Sequence, residues 1–136
     1  MKPFYTARQS DPEKQFFEYL NQSRKVKWWF KNGEGEIKYF AVLRQDDRAF
    51  YPDFIIQFND GSVGIFDTKS GRTAKTGDAA PRAEALQKFI EKQNQNGKKL
   101  VVGGITIYVN GTWRYNDSEK YKYDPKDLSK WKVLDL

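Results

Sequence analysis

The sequence contains no cysteine and no histidine. Those two absences exclude thiolate and imidazole zinc centres, Ser-His and Cys-His nucleophile pairs, and any histidine general base. Chemistry on this chain must therefore run on carboxylates, lysines, tyrosines or a metal ion. Long apolar runs are missing too. None approaches the roughly 20 residues that cross a bilayer, and the N-terminal MKPFYTARQS has no apolar stretch of the secretory kind, so a soluble, cytoplasmic protein is expected. Repeats and low-complexity segments are absent, and Gly and Pro stand singly at turn-like positions. At 136 residues this implies one domain spanning residues 1–136.

What is present is positive charge and aromatic surface. The formal net charge of +6 and a pI near 9.4 favour an anionic partner, nucleic acid first, although an excess of this size also occurs in proteins that bind none. Aromatic residues make up 16% of the chain, with four tryptophans. They can form a large aromatic core or platforms on which bases stack, and the core is the safer reading.

Asp11 as N-cap and Pro12 at the first helical position open a helix over residues 11–24. At about 100° per residue, Phe16, Phe17 and Leu20 share one face, and Glu13 falls in the middle of it while Glu18 points away. An acid on an apolar stripe needs a partner, unless it simply sits exposed in the first turn and favours the helix dipole. An aromatic strand (26–32), a Gly-Glu-Gly turn and a second strand (37–44) follow, with Trp28 and Trp29 on opposite faces. A polar QDDRA connection leads to YPDFIIQFNDGSVGIFDTKSG (51–71), which reads as a β-hairpin. A long basic loop reaches residue 82, and a helix over 82–95 is stopped by Gly97. An inner strand over 99–109, a short one at 112–115 and an irregular tail complete the chain. The order implies an α/β sandwich with a mixed sheet, in which the strand after the second helix can lie parallel to its predecessor through a right-handed crossover.

Asp67 and Lys69 are two apart in a strand and leave the same face. Whether Asp53 joins them depends on the hairpin register. A two-residue Asp60-Gly61 turn sends Asp53 to the other face; a three-residue Asn59-Asp60-Gly61 loop puts it opposite Asp67, pairs Phe54 with Phe66 and Ile56 with Gly64, and places Gly61 where positive φ is needed. Each residue alone has an ordinary explanation, since Pro-Asp is a common turn dipeptide and Asp-x-Lys a common same-face pair. Together, two acids and a lysine at the open end of an apolar hairpin suit phosphodiester hydrolysis, in which carboxylates hold Mg2+ and a cation orients water or offsets charge.

An early helix with Glu13, a Pro52-Asp53 strand, a short turn and Phe66-Asp67-Thr68-Lys69 resemble the PD-(D/E)xK nuclease superfamily, whose fold is the restriction-endonuclease-like mixed β-sheet flanked by helices. More closely, E-x-x-F-F, VKWWFKN, FYPDFII, Asp60-Gly61, FDTKSG and the later GGI are similar to the C-terminal nuclease domain of type III restriction helicase subunits and related DEAD/DEAH-type proteins, over about Glu13 to Ile105. The resemblance implies that Asp53 and Asp67 ligate Mg2+ with the Thr68 backbone carbonyl, that Glu13 is the helix acid of the site, and that Lys69 positions or activates the attacking water. Mn2+ is expected to substitute. The second acid is Glu in many members and Asp here.

Arg72, Lys75 and Arg82 follow the hairpin, and phosphate contact is their expected role beside a solvated-loop alternative. Gln87 is a candidate polar residue supporting the site from the second helix. DNA is the expected substrate, and the resemblance implies a helicase or ATPase module or a larger restriction complex as partner; 136 residues are too few to hold a motor and a nuclease together. Two further readings stand beside this one: a non-cleaving nucleic-acid-binding or assembly module of the same fold, and a stand-alone repair or junction nuclease acting as a homodimer.

Overall fold

The computed structural model describes residues 11–33, 39–95 and 100–136, apart from the side chains of residues 71 and 72. It is an α/β structure built on a six-stranded mixed sheet. The chain runs through α1 (Asp11–Gln22), β1 (Val26–Lys31), β2 (Val42–Leu43), β3 (Ala49–Phe50), β4 (Phe54–Phe58) and β5 (Val63–Thr68). It continues through α2 (Gly71–Ala74), α3 (Ala79–Gln93), β6 (Val101–Val109), β7 (Thr112–Asn116) and β8 (Trp131–Val133). The sheet order is β1-β4-β5-β6-β7-β8, while β2 and β3 form a ladder of their own. Only β5 and β6 run parallel, joined through α2 and α3; every other neighbouring pair is antiparallel.

Alternation along β5 divides the core between two faces. Phe66 belongs to a cluster with Phe16 and Leu20 of α1, Trp29, Phe54, Ile56 and Trp113. Its neighbour Ile65 belongs to another with Leu86 and Ile90 of α3, Val42 and Phe50. Adjacent strand residues point to opposite faces, so α1 covers one side of the sheet and α3 the other. Phe16 anchors the first layer, its ring centroid 5.0 Å from that of Phe54 and 4.9 Å from that of Trp113 in edge-on packing. The aromatic content is therefore largely core. The two adjacent tryptophans do part company, with Trp29 buried and Trp28 37% exposed.

Four segments differ from the sequence-based expectations, each for a local reason. Of the strand expected over 37–44, residues 37 and 38 lie outside the described residues, and only Val42–Leu43 is strand, paired with Ala49–Phe50. Asn32 takes Phe40 out of any ladder by accepting its N–H and donating to its carbonyl. The expected loop 71–82 contains α2 and the first turn of α3. Ser70 caps α2 through a reciprocal box with Thr73, and Pro81 is tolerated at the third position of α3, where a backbone N–H has no intrahelical acceptor. That helix ends at Asn94, whose side chain bonds the backbone of Leu100 and Val101; Gly97 lies outside the described residues. The tail expected to be irregular adds β8, because Trp131 is buried beside Tyr121 and Tyr123 and pairs with Asn116.

Gly103 marks a close backbone approach. Its φ is +148°, and a Cβ there would lie 1.9 Å from the carbonyl oxygen of Ile65. Among the described residues, no helix is long and apolar enough to cross a membrane.

Candidate active site

The β4–β5 hairpin determines the geometry. Phe58 donates to the carbonyl of Ser62, leaving Asn59, Asp60 and Gly61 as the loop. Gly61 has φ +89°. The ladder pairs Phe54 with Phe66 and Ile56 with Gly64, the register that the three-residue loop requires. Continued by one residue, it brings Asp53 to Asp67, and the Asp53 N–H donates to Asp67 Oδ1 at 3.2 Å. Asp53 is turned toward the end of β5, where its Oδ2 accepts the Thr68 N–H at 3.0 Å and the Thr68 hydroxyl at 2.9 Å.

Lys69 lies beside Asp67, with Nζ 2.5 Å from Oδ2. Asp67 is only 2% exposed. Burial, and then the negative charge of Asp53, push its carboxyl up from 3.8 to about 8, against the opposing pull of Lys69.

Glu13 reaches the same place from the first turn of α1 and is paired, with Lys31 Nζ 3.3 Å from its Oε2. Lys31 Nζ also lies 3.8 Å from Asp53 Oδ1 and donates to the Asn32 carbonyl at 3.1 Å. Of the two readings of this acid, the partnered one describes the structure. Pro12, Glu13, Tyr51, Asp53, Asp67, Thr68, Lys69, Ser70, Thr73 and Arg82 together line a cleft of about 330 Å³.

The remaining candidate residues divide. Arg82 lines the cleft, with Nε 2.8 Å from Asp78 Oδ2 and its guanidinium 5.5 Å from the Phe50 ring centroid. Lys75 is exposed at the end of α2 and is not part of that lining. The side chain of Arg72 lies outside those described. Gln87 is buried away from the cleft, where its Nε2 donates to the carbonyls of Gly103 at 2.9 Å and Asn116 at 3.3 Å. It ties β6 to β7 where β6 carries no side chain, which is a structural duty.

Lys31 and Asn32 were given no role by the sequence. Asn32 is buried, donates its side-chain N–H groups to the carbonyls of Phe40 and Pro52, and donates its backbone N–H to the carbonyl of Asp53 at 2.7 Å. It thereby fixes the chain entering β4. Both residues lie in the WWFKN block. What places them at the site is the pairing of Lys31 with Phe54, next to Asp53, across a strand pair far apart in sequence.

The donor set suits a hard cation. Two carboxylates converge at Asp53 and Asp67, and one is buried beside the other's charge, a strain that a divalent cation would relieve. Mg2+ is commonly held by one or two carboxylates and keeps several waters. Among the described residues, no group of three or more carboxylates is arranged to hold a metal ion, and Glu13 is turned onto Lys31. Comparison with protein-family models, curated proteins and solved structures finds no match for this chain.

Proposed function

We propose that this chain is a Mg2+-dependent endodeoxyribonuclease of the restriction-endonuclease-like fold, hydrolysing phosphodiester bonds at the cleft of Asp53, Asp67 and Lys69. The observation that carries the proposal is the convergence of these three side chains at the open end of one hairpin, with Asp67 buried beside Lys69 and its carboxyl pushed up by burial and by the charge of Asp53. Such a carboxyl is poised to take up a cation.

Asp53 and Asp67 would hold the ion, with the Thr68 backbone carbonyl as the third donor. Bound there, Mg2+ supplies a Lewis acid for the phosphoryl oxygen and lowers the pKa of a coordinated water. Lys69 positions the attacking water through hydrogen bonds. The water oxygen forms the new bond to phosphorus and gives up its proton to solvent, the P–O bond to the leaving nucleotide breaks, and the leaving oxygen is protonated from solvent. Ser70, Thr73 and Arg82 supply hydroxyl and guanidinium donors on the cleft wall for flanking phosphates. A helicase or ATPase module, on the same or another chain, is the partner this reading implies for delivering DNA. Cutting both strands requires two such sites, hence a homodimer or a larger complex.

One observation favours a second reading, a binding module that does not cleave: Lys31 and Lys69 already pair with the acids of the cleft. Incubating plasmid and single-stranded DNA with Mg2+ or Mn2+ separates the two readings. Nicking by the wild type and none by Asp67→Ala supports the nuclease. Equal activity in both assigns the signal to another site or a contaminant.

A further inference from the structure

We propose that the ammonium of Lys31, held between Glu13 and Asp53, takes the place that a second metal ion would need, so that the site takes a single divalent ion, at the Asp53–Asp67 pair. The inference rests on the metal-dependent reading above and deepens it. Lys31 ends β1 and, by its pairing with Phe54, projects beside Asp53. Its Nζ is 3.3 Å from Glu13 Oε2, 3.8 Å from Asp53 Oδ1 and 3.1 Å from the Asn32 carbonyl oxygen, and it lies 5.7 Å from the centroid of the Phe54 ring. Three oxygens from α1, the segment after β1 and the segment before β4 thus surround one cation, over an aromatic face that favours positive charge. The Lys31 side chain is only 19% exposed, so this is an enclosed pairing rather than a loose surface ion pair.

A second divalent ion beside the Asp53–Asp67 pair would need a further carboxylate, and Glu13, joined to Asp53 through Lys31, is the acid in reach. Here the space between them holds a lysine, and a divalent ion could enter only if that ammonium left. Charge balance points the same way. When fully ionised, Glu13, Asp53 and Asp67 against Lys31 and Lys69 leave one formal negative charge, the charge of Arg82 on the cleft wall being matched by Asp78. A single divalent ion overshoots neutrality by one, whereas two overshoot by three in a partly buried cleft, which low local dielectric makes costly. Lys31 is therefore a positioning residue: it holds the helix acid and the hairpin acid together without a second metal.

The test is Mn2+ stoichiometry, read by the loss of the free-ion electron paramagnetic resonance signal on titration into the whole chain, which requires no turnover. The wild type and Lys31→Arg should each bind one ion. Lys31→Met should bind two, and adding Glu13→Gln to Lys31→Met should return the count to one. Two ions in the wild type, or one in a folded Lys31→Met chain, overturns the proposal. The wild-type count decides even if Lys31→Met does not fold. If two ions bind and DNA is still cut, only the Lys31 proposal fails; if no ion binds, the metal-dependent reading falls and this proposal with it.

Discussion

The backbone N–H of Asp53 donates to Asp67 Oδ1 at 3.2 Å, so that the residue entering β4 and an acid of β5 are held together before any cation arrives. The arrangement is costly when both are ionised. Burial and the charge of Asp53 hold the Asp67 carboxyl at about 8 instead of 3.8.

That shift determines how metal-free stability depends on pH. Between about 4 and 8 the folded state keeps a proton on Asp67 that the unfolded state has lost, so stability falls as pH rises through this window and levels off above it. Asp67→Asn should remove this slope and stabilise the metal-free chain at pH 9 by on the order of a few kcal/mol. Thermal unfolding in chelator from pH 5 to 9 provides the check. Parallel wild-type and variant profiles would refute it.

Lys69 contacts Asp67 but is not expected to hold the ion. Lys69→Ala should lower cleavage by roughly 10²-fold or more, the usual scale for a positioned proton-transfer or orienting group, while Mn2+ affinity stays within a few-fold. If metal binding is lost together with cleavage, the lysine organises the site structurally instead.

Asn32 supports the hairpin acid from behind. Asn32→Ala leaves the carbonyls of Phe40 and Pro52 and the N–H of Phe40 without their side-chain partner, at a cost of about 1–3 kcal/mol for buried groups of this kind. Urea denaturation should show that loss with an unchanged m-value. A stability change within about 0.5 kcal/mol, the range of ordinary surface substitutions, would mean that these hydrogen bonds contribute little.

Arg82 is the described basic side chain on the cleft wall that the sequence assigned to DNA. Arg82→Ala should weaken DNA binding across all sequences and reduce the slope of log K against log salt by about 1. An unchanged slope would place the phosphate contacts elsewhere.

The hairpin was legible from sequence because its determinants are local. Alternating residues set the faces, and an Asn-Asp-Gly loop with Gly61 at positive φ sets the register. Glu13 was legible as an anomaly on an apolar helix face, but its partner was not. Lys31 comes to it only through the β1–β4 pairing, which no local pattern encodes. The same limit hid β8, whose three residues become a strand by pairing with β7 across a long tail. Gln87 shows the opposite error. A polar residue on a helix near a proposed site suggested a supporting role there, whereas the close glycine-rich passage of β6 draws it to the carbonyls of Gly103 and Asn116. Whether a buried polar side chain serves chemistry or backbone pairing depends on what lies opposite, and that is a tertiary fact.

The central claim is that the Asp53–Asp67 pair makes this cleft a metal-dependent nuclease, and supercoiled plasmid tests it most directly. Wild type, Asp53→Asn and Asp67→Asn are compared in Mg2+ and in chelator, with folding verified for each. The account predicts nicking by the wild type in Mg2+ alone and a rate at least about 10²-fold lower in both variants. Metal-independent nicking, or wild-type rates in the two folded variants, would contradict it.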